Sequence, residues 1–346
     1  MKLIVQLPCY NEEQTLAATL ADIPRAIPGI DCIELLVIDD GSRDRTAAVA
    51  LEYGVHHLIR HKHNLGLARA FRNGLDASLQ QCADIIVNTD ADNQYVGADI
   101  AKLVAPILAG EADMVIGDRQ TDGIAHFSPL KKRLQRLGSM AVRRLAGIDV
   151  PDTVSGFRAF SREAALRLNI VSNFSYTIET VIQAGKRDLT VVSVPIRTNA
   201  TARPSRLFRS IPQFIGQSLI TMIRMYAMYK PLRVFFYLGA ALIGLGLLPV
   251  LRFLYFYIQG GGAGHIQSLQ LGGVLLLIGV FAWLIGLVAD LISFNRQLLE
   301  MTLERVRRLE LDSPARDARP NATGPAMGQG TPKALTSEQQ PRSTSG

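Results

Sequence analysis

The sequence predicts an α/β domain built on a mostly parallel sheet, followed by a two-helix membrane hairpin. Three observations carry this. Over residues 2–120, short apolar runs alternate with helical patterns, as in a parallel sheet with helices on both faces. Acidic or amide clusters end three of those runs: Tyr10-Asn11-Glu12, Asp39-Asp40-Gly41-Ser42 and Asp90-Ala91-Asp92. Two uncharged stretches follow much later, at 234–251 and 269–289, close to the ~20 residues a spanning helix needs.

Strands are expected at 3–7, 33–38, 55–59, 85–88 and 114–116, with helices near 12–26, 43–53, 66–81 and 98–109. In such sheets ligands bind beyond the carboxyl ends of the strands, so the three clusters would share one site. Asp90 and Asp92 stand at its centre. Two carboxylates two residues apart at a strand end can face the same way. Left alone, they would repel and resist joint ionisation. A divalent cation resolves that conflict, and hard oxygen ligands suit Mg²⁺ or Mn²⁺. Such an ion keeps positions open for phosphate oxygens, so a metal-assisted diphosphate site is expected. Alone, Asp-x-Asp is also a common loop sequence.

Beyond 120 the pattern loosens. A basic helix is expected over 130–146, carrying Lys131, Lys132, Arg133, Arg136, Arg143 and Arg144. Then come Ser155-Gly156-Phe157-Arg158, a helix from Arg162, a segment at 176–185 and a strand-like run at 189–196. Residues 203–233 contain Arg203, Arg206, Arg209, Arg224, Lys230 and Arg233 but no acid. Apolar residues there recur at helical spacing, as in an interfacial helix on anionic lipid or a helix packed on the sheet. Both outer flanks of the hairpin are basic, with Lys230 and Arg233 on one side and Arg296, Arg305, Arg307 and Arg308 on the other. The positive-inside rule then puts both flanks, the preceding domain and a tail over 295–346 in the cytoplasm. From about 311 the tail should be disordered. The glycine-rich first span could pack against the second span or a second copy of the chain.

Composition narrows the classes. The net charge of +7 suits nucleic acid or an anionic membrane. Basic stretches interleaved with aromatics are not evident, and the positive charge gathers beside the apolar stretches, which favours the membrane over nucleic acid. Cys9, Cys32 and Cys82 are scattered, with no Cys-x-x-Cys pair, so neither a disulfide framework nor a zinc site is supported. The N-terminal run is too short for a signal peptide's apolar core and reads as the first strand. His56, His57, His61 and His63 are irregularly spaced and read as surface-loop residues rather than metal ligands.

The motifs Pro8-Cys9-Tyr10-Asn11-Glu12-Glu13, Val37-Ile38-Asp39-Asp40-Gly41-Ser42-Arg43-Asp44, Asn64-Leu65-Gly66-Leu67, Asp90-Ala91-Asp92, Asp118-Arg119 and Ser155-Gly156-Phe157-Arg158 together resemble family 2 glycosyltransferases. The likeness is to the polyprenyl-phosphate sugar transferases of the dolichol-phosphate mannosyltransferase type. It covers about residues 1–230 and extends to the membrane hairpin of bacterial relatives. It implies a GT-A (Rossmann-like) domain over 1–202, a basic juxtamembrane segment over 203–233 and two spans within 234–294. Pro8, Tyr10, Asn11 and Glu12 would line the nucleotide pocket. Asp39 and Asp40 would accept hydrogen bonds from ribose or base, or else cap the following helix. Gly66 would allow close backbone approach, or mark a plain turn.

The resemblance also implies that Asp90 holds the sugar-nucleotide end while Asp92 ligates the metal, with Gln94 completing the metal or acceptor site. Arg119 would pair with phosphate, unless it is a solvated loop arginine. Lys132 and Arg136, or Arg203, Ser205 and Arg206, would hold an acceptor phosphate. Where relatives often have Ser, this chain has Arg136. Glu179 would lie near the acceptor or on a helix surface. The implied reaction moves one sugar from a nucleotide-diphosphate sugar to a polyprenyl phosphate at the inner membrane's cytoplasmic face, with inversion. Rival readings are transfer to a diacylglycerol-type lipid and a non-catalytic scaffold that binds nucleotide sugar. A processive polysaccharide synthase is disfavoured, because the only tryptophan, Trp283, lies inside a span.

Overall fold

The computed structural model describes residues 1–120, 146–171, 176–199, 230–260 and 262–312, with isolated positions at 140, 142, 143, 216, 220 and 226. Most of the expected helix at 130–146, nearly all of the basic segment before 230 and the chain beyond 312 lie outside the described residues.

Seven strands form one sheet: β1 (Lys2–Cys9), β2 (Cys32–Asp39), β3 (His57–Arg60), β4 (Ile85–Asn88), β5 (Met114–Asp118), β6 (Arg158–Ser161) and β7 (Val191–Pro195). Their order is β3-β2-β1-β4-β6-β5-β7. β3, β2, β1 and β4 run parallel, as do β5 and β7. β6 alone runs antiparallel, between β4 and β5. The sequence does not announce β6. Its apolar run is only Ala159-Phe160, too short to show a period.

Helices α1 (Leu16–Asp22), α2 (Thr46–Tyr53), α3 (Leu67–Gln80), α4 (Ile100–Leu108), α5 (Arg162–Arg167) and α6 (Tyr176–Lys186) cover the sheet. α1 is shorter than the expected 12–26, because residues 10–15 form a turn that serves the site and Pro24 follows its end. β1 is buried on both faces and so reads as a continuous apolar run. Ile4 packs with Leu36, Ile38 and Phe71 on one side. Leu3, Val5 and Leu7 pack with Leu16, Leu20, Ile100 and Leu103 on the other. Strand order reverses between β1 and β4, and a ligand crevice forms at such a switch point.

Two long helices follow, α7 (Pro231–Ile258) and α8 (Ile266–Asp312). Both are long and apolar enough to cross a membrane, and their largely exposed apolar side chains support membrane association. They pack through glycines seven residues apart. A side chain at Gly239 would strike the Trp283 ring, and Gly246 meets the Gly272 carbonyl. Gly239 and Gly246 of the first span therefore face the second span of the same chain, while Gly244 faces open space. Trp283 Nε1 donates to the Phe236 carbonyl at 3.1 Å. The connector is shorter than expected, since α7 stays helical to Ile258.

α8 runs on past the second apolar stretch and stays helical to Asp312. Pairs at i,i+4 support this stretch, namely Arg296–Glu300 at 3.2 Å and Glu304–Arg308 at 2.9 Å. Contacts with the sheet domain support it further. Arg187 meets Glu300 at 2.6 Å, Arg307 meets Asp76 at 3.3 Å, and Leu311 packs on the core.

Candidate active site

The site sits over the carboxyl ends of β1, β2 and β4, and its foundation is polar and buried. Asn88 ends β4 and is fully enclosed. Its Oδ1 accepts from Gln6 Nε2 at 3.0 Å, and its Nδ2 donates to the Gly156 carbonyl and to Tyr176 Oη, each at 2.9 Å. The Gly156 N–H donates to Tyr95 Oη at 3.1 Å. The Gly156 peptide is thus gripped at both ends. Burial pushes the Tyr176 phenol well above its ordinary value, so it stays protonated, and it donates to the same carbonyl at 3.4 Å.

The Asp90 carboxylate lies against that peptide. A Cβ on Gly156 would come within 2.8 Å of Asp90 Oδ2 and 3.0 Å of Oδ1, so only glycine leaves room for the carboxylate. Burial, and then the neighbouring charge of Asp92, push the Asp90 carboxyl up to about 7. Asp92 Oδ1 accepts from the Gln94 N–H at 3.1 Å, closing a turn in which Asn93 takes a left-handed conformation. The Gln94 carbonyl accepts from the Asn199 N–H at 2.8 Å, which fastens this loop to the chain after β7.

Asp39 and Asp40 divide their labour. Asp39 Oδ1 accepts from the Ser42 N–H at 2.9 Å. Its Oδ2 is buried with no hydrogen-bond partner among the described residues. Arg60 Nε stands 3.2 Å away, near enough for an ion pair but without hydrogen-bond geometry. Asp40 instead accepts from the Leu65 and Gly66 N–H groups, each at 2.8 Å, and from His61 Nδ1 at 2.7 Å. Asn73 Nδ2 lies 2.8 Å from His61 Nε2, which leaves the ring proton on Nδ1, facing Asp40. His61 is therefore a buried loop fastener, which corrects its reading as a surface residue. Asp40 likewise ties the loops after β2 and β3 together, with three internal bonds in place of open ligand contacts. Gly66 sits at φ 93°, where glycine carries little strain.

Asn11 and Glu12 join the loops after β1 and β2. Asn11 donates its N–H to Ser42 Oγ and accepts from the Arg43 N–H, both at 2.9 Å. The Glu12 N–H donates to Thr46 Oγ1 at 2.7 Å. Pro8 lies buried within β1, paired with Ile38, and is not part of the neighbouring hollow's lining. That hollow, of about 510 Å³, is bounded by Tyr10, Gly41, Ser42, Arg43 and the Arg60–Asn64 run.

Arg119 is largely covered, which rules out the solvated loop arginine. Its Nε and Nη2 clasp Asp152 at 2.6 and 3.0 Å. Burial would raise the Asp152 carboxyl, but Arg119 holds it below the usual carboxylate range. Arg158 is fully buried and donates to the carbonyls of Ser155, Thr153 and Thr177 at 2.7–2.8 Å. Burial pulls its guanidinium down to about 10. Glu179 is also buried and accepts from the Val171 N–H at 3.0 Å, so it is not a helix-surface residue.

Lys132, Arg136, Arg203, Ser205 and Arg206 lie outside the described residues. Sequence reasoning missed Asn88, Tyr95, Asp152 and Tyr176. Asn88 carried a signal, a lone amide in an apolar strand. The other three become visible only through partners distant in the chain.

Among the described residues, no group of three His, Cys, Asp or Glu could hold a metal ion by itself. Asp90 and Asp92 supply two hard carboxylates, and burial followed by the charge of Asp92 raises the Asp90 carboxyl despite Arg119. This donor set fits Mg²⁺ or Mn²⁺ when a ligand's phosphates complete the shell.

Residues 4–168 match the family described as Glycosyl transferase family 2, and residues 230–294 match the GtrB C-terminal hairpin. A dolichyl-phosphate hexose transferase of Haloferax volcanii is 32% identical, over 59% of this chain and 86% of its own. A UDP-N-acetylglucosamine–dolichyl-phosphate N-acetylglucosaminyltransferase of Methanococcus voltae is 30% identical, over 56% and 83%. Glycosyltransferase AglJ of Haloferax volcanii is 28% identical, over 88% and 95%. Glucosyl-3-phosphoglycerate synthase of Mycobacterium tuberculosis, solved with Mn²⁺, UDP-glucose and phosphoglyceric acid, shares the GT-A fold at a TM-score of 0.52. It is 22% identical, over 65% of this chain and 80% of its own. The match over residues 4–168 and the relatives at 30% and 32% identity show the family: the chain belongs to the family 2 glycosyltransferases.

Proposed function

We propose that the protein moves one sugar from a nucleotide-diphosphate sugar to a polyprenyl phosphate at the cytoplasmic face of the inner membrane, inverting the anomeric configuration. The observation that carries this is the pair Asp90 and Asp92 just past the carboxyl end of β4, in the same parallel sheet whose β1 and β2 loops bound the hollow, on a domain joined to a membrane hairpin. The names of two relatives, which specify dolichyl phosphate as acceptor, support it.

In this reading the buried Oδ2 of Asp39 accepts from the base or ribose, and Tyr10 flanks them. Asn11, Glu12 and Asp40 hold the loops that shape the pocket. Asp90 and Asp92, with Gln94 beside them, hold Mg²⁺ or Mn²⁺, which would neutralise the departing diphosphate. Arg119 brings positive charge toward the same end while Asp152 fixes its plane. Lys132, Arg136, Arg203, Ser205 and Arg206 are proposed for the acceptor phosphate. A lipid phosphate is already anionic at neutral pH, so it can attack without a protein general base. That suits a site whose buried histidine, His61, is engaged with Asp40. The basic flanks of the hairpin support a cytoplasmic site.

The test is transfer of radiolabel from UDP- and GDP-sugars into extractable lipid, using membranes that carry the unaltered protein or Asp92→Asn. A metal-dependent, mild-acid-labile labelled lipid that is lost in Asp92→Asn is expected. A label stable to mild acid would indicate a glycerolipid acceptor instead. Donor binding without any transfer would favour a scaffold.

A further inference from the structure

α8 is far longer than a membrane requires. Its 47 residues span about 70 Å at 1.5 Å per residue, against a hydrocarbon core of about 30 Å. The excess lies against the sheet domain along one face. Residues 296, 300, 304, 307, 308 and 311 share that face, being spaced three or four apart. Glu300 meets Arg187 at 2.6 Å with both side chains largely covered. Arg307 donates to the Leu168 carbonyl at 3.0 Å, just past the end of α5, and pairs with Asp76 of α3 at 3.3 Å. Arg308 bridges Glu163 and Glu304. Leu311 closes the dock on the core formed by α3, α5 and α6.

α6 connects this dock to the active site. Arg187 directly follows its C-terminal end. Tyr176, at its first residue, bonds Asn88 beneath Asp90. One helix of 11 residues, about 16 Å long, is therefore held at one end by the membrane helix and at the other by the end of β4 that leads into Asp90. Salt bridges of this kind, repeated on one face, fix rotation as well as distance.

We propose that the cytoplasmic end of α8 is a rigid strut that sets the height and rotation of the catalytic domain over the bilayer, so that a membrane-embedded acceptor meets the site. This rests on the acceptor reading above. It gives the Glu300–Arg187 and Arg307–Asp76 contacts a role in acceptor presentation, separate from donor binding and from the chemical step.

The experiment compares two acceptors: polyprenyl phosphate in vesicles, and a short-chain, water-soluble prenyl phosphate. Glu300→Arg sets its charge against both Arg187 and Arg296 and should loosen the dock. Transfer in vesicles is expected to fall about tenfold or more, since small misplacements carry such costs, while transfer to the soluble acceptor stays within about twofold. The exchanged pair Arg187→Glu with Glu300→Arg should restore vesicle transfer. Inserting one alanine between Phe294 and Asn295, which turns the dock by about 100°, should reproduce the selective loss. An equal fall with both acceptors would show that the dock merely supports the domain's fold, and would overturn the proposal. So would unchanged vesicle transfer in Glu300→Arg and in the insertion. If the unaltered protein used neither acceptor, the acceptor reading would fail and take the strut's role with it.

Discussion

Asp90 is held near neutrality by its surroundings, and that has consequences for metal and pH. Its carboxyl sits at about 7, above the ordinary value near 3.8 expected when unfolded. Between those values the folded chain binds the extra proton, so the metal-free fold loses stability as pH rises from about 4 to 7. A cation must displace that proton. Mn²⁺ affinity should therefore rise about tenfold between pH 6 and 8 and level off above, as read by calorimetry in buffers of different ionisation heat. An affinity flat across that range would refute the assignment. The Gly156 wall allows a sharper test. In Gly156→Ala, the new methyl occupies the space of the Asp90 carboxylate. Mn²⁺ binding should weaken about tenfold or more, with nucleoside binding in the hollow beside Tyr10 and Ser42 retained. Tyr176→Phe keeps the ring stack but removes the weaker of two donors to the Gly156 carbonyl and an acceptor for Asn88, and should fall between that variant and the unaltered protein. The paired aspartates were legible in the sequence because their chemistry is local. The partners of Arg119 and Asp40 were not, because each is fixed by a fold that brings residues 33 and 21 positions apart into contact.

At the scale of elements, periodicity placed the first five strands and failed at β6. β6 is four residues long and its side chains face two helical layers, so no alternation shows. Its position is set by Arg158, whose donors gather carbonyls from the 153–155 loop and from Thr177 of α6. α3 is the element on which both halves of the domain rest. Its Phe71 stacks on Tyr176 at 3.9 Å and meets the Phe160 edge at 5.8 Å, joining α3, α6 and β6. Phe71→Ala leaves a cavity there and should cost about 3–5 kcal/mol, seen as a lower melting temperature in detergent. A cost under about 1 kcal/mol would mean that the three elements can collapse into the gap.

At the scale of the molecule, the apolar spans were legible from composition, but the helix beyond them was not. Residues 296–311 are rich in charge and resemble a solvated tail until the opposing charges of α3, α5 and α6 are placed beside them. The hairpin itself closes on glycine. Gly239→Leu should strike Trp283 and part the two spans, lengthening the distance between spin labels at 247 and 271. An unchanged distance would show that the helices can slide to absorb the side chain. The central claim is sugar transfer at the Asp90–Asp92 site onto a polyprenyl phosphate. The most direct test places purified protein in vesicles with polyprenyl phosphate as the sole acceptor, adds nucleotide sugars, and weighs the lipid by mass spectrometry. One added sugar residue, formed with the unaltered protein and absent with Asp92→Asn, is the expected result. Lipid of unchanged mass with every nucleotide sugar that binds would contradict the account.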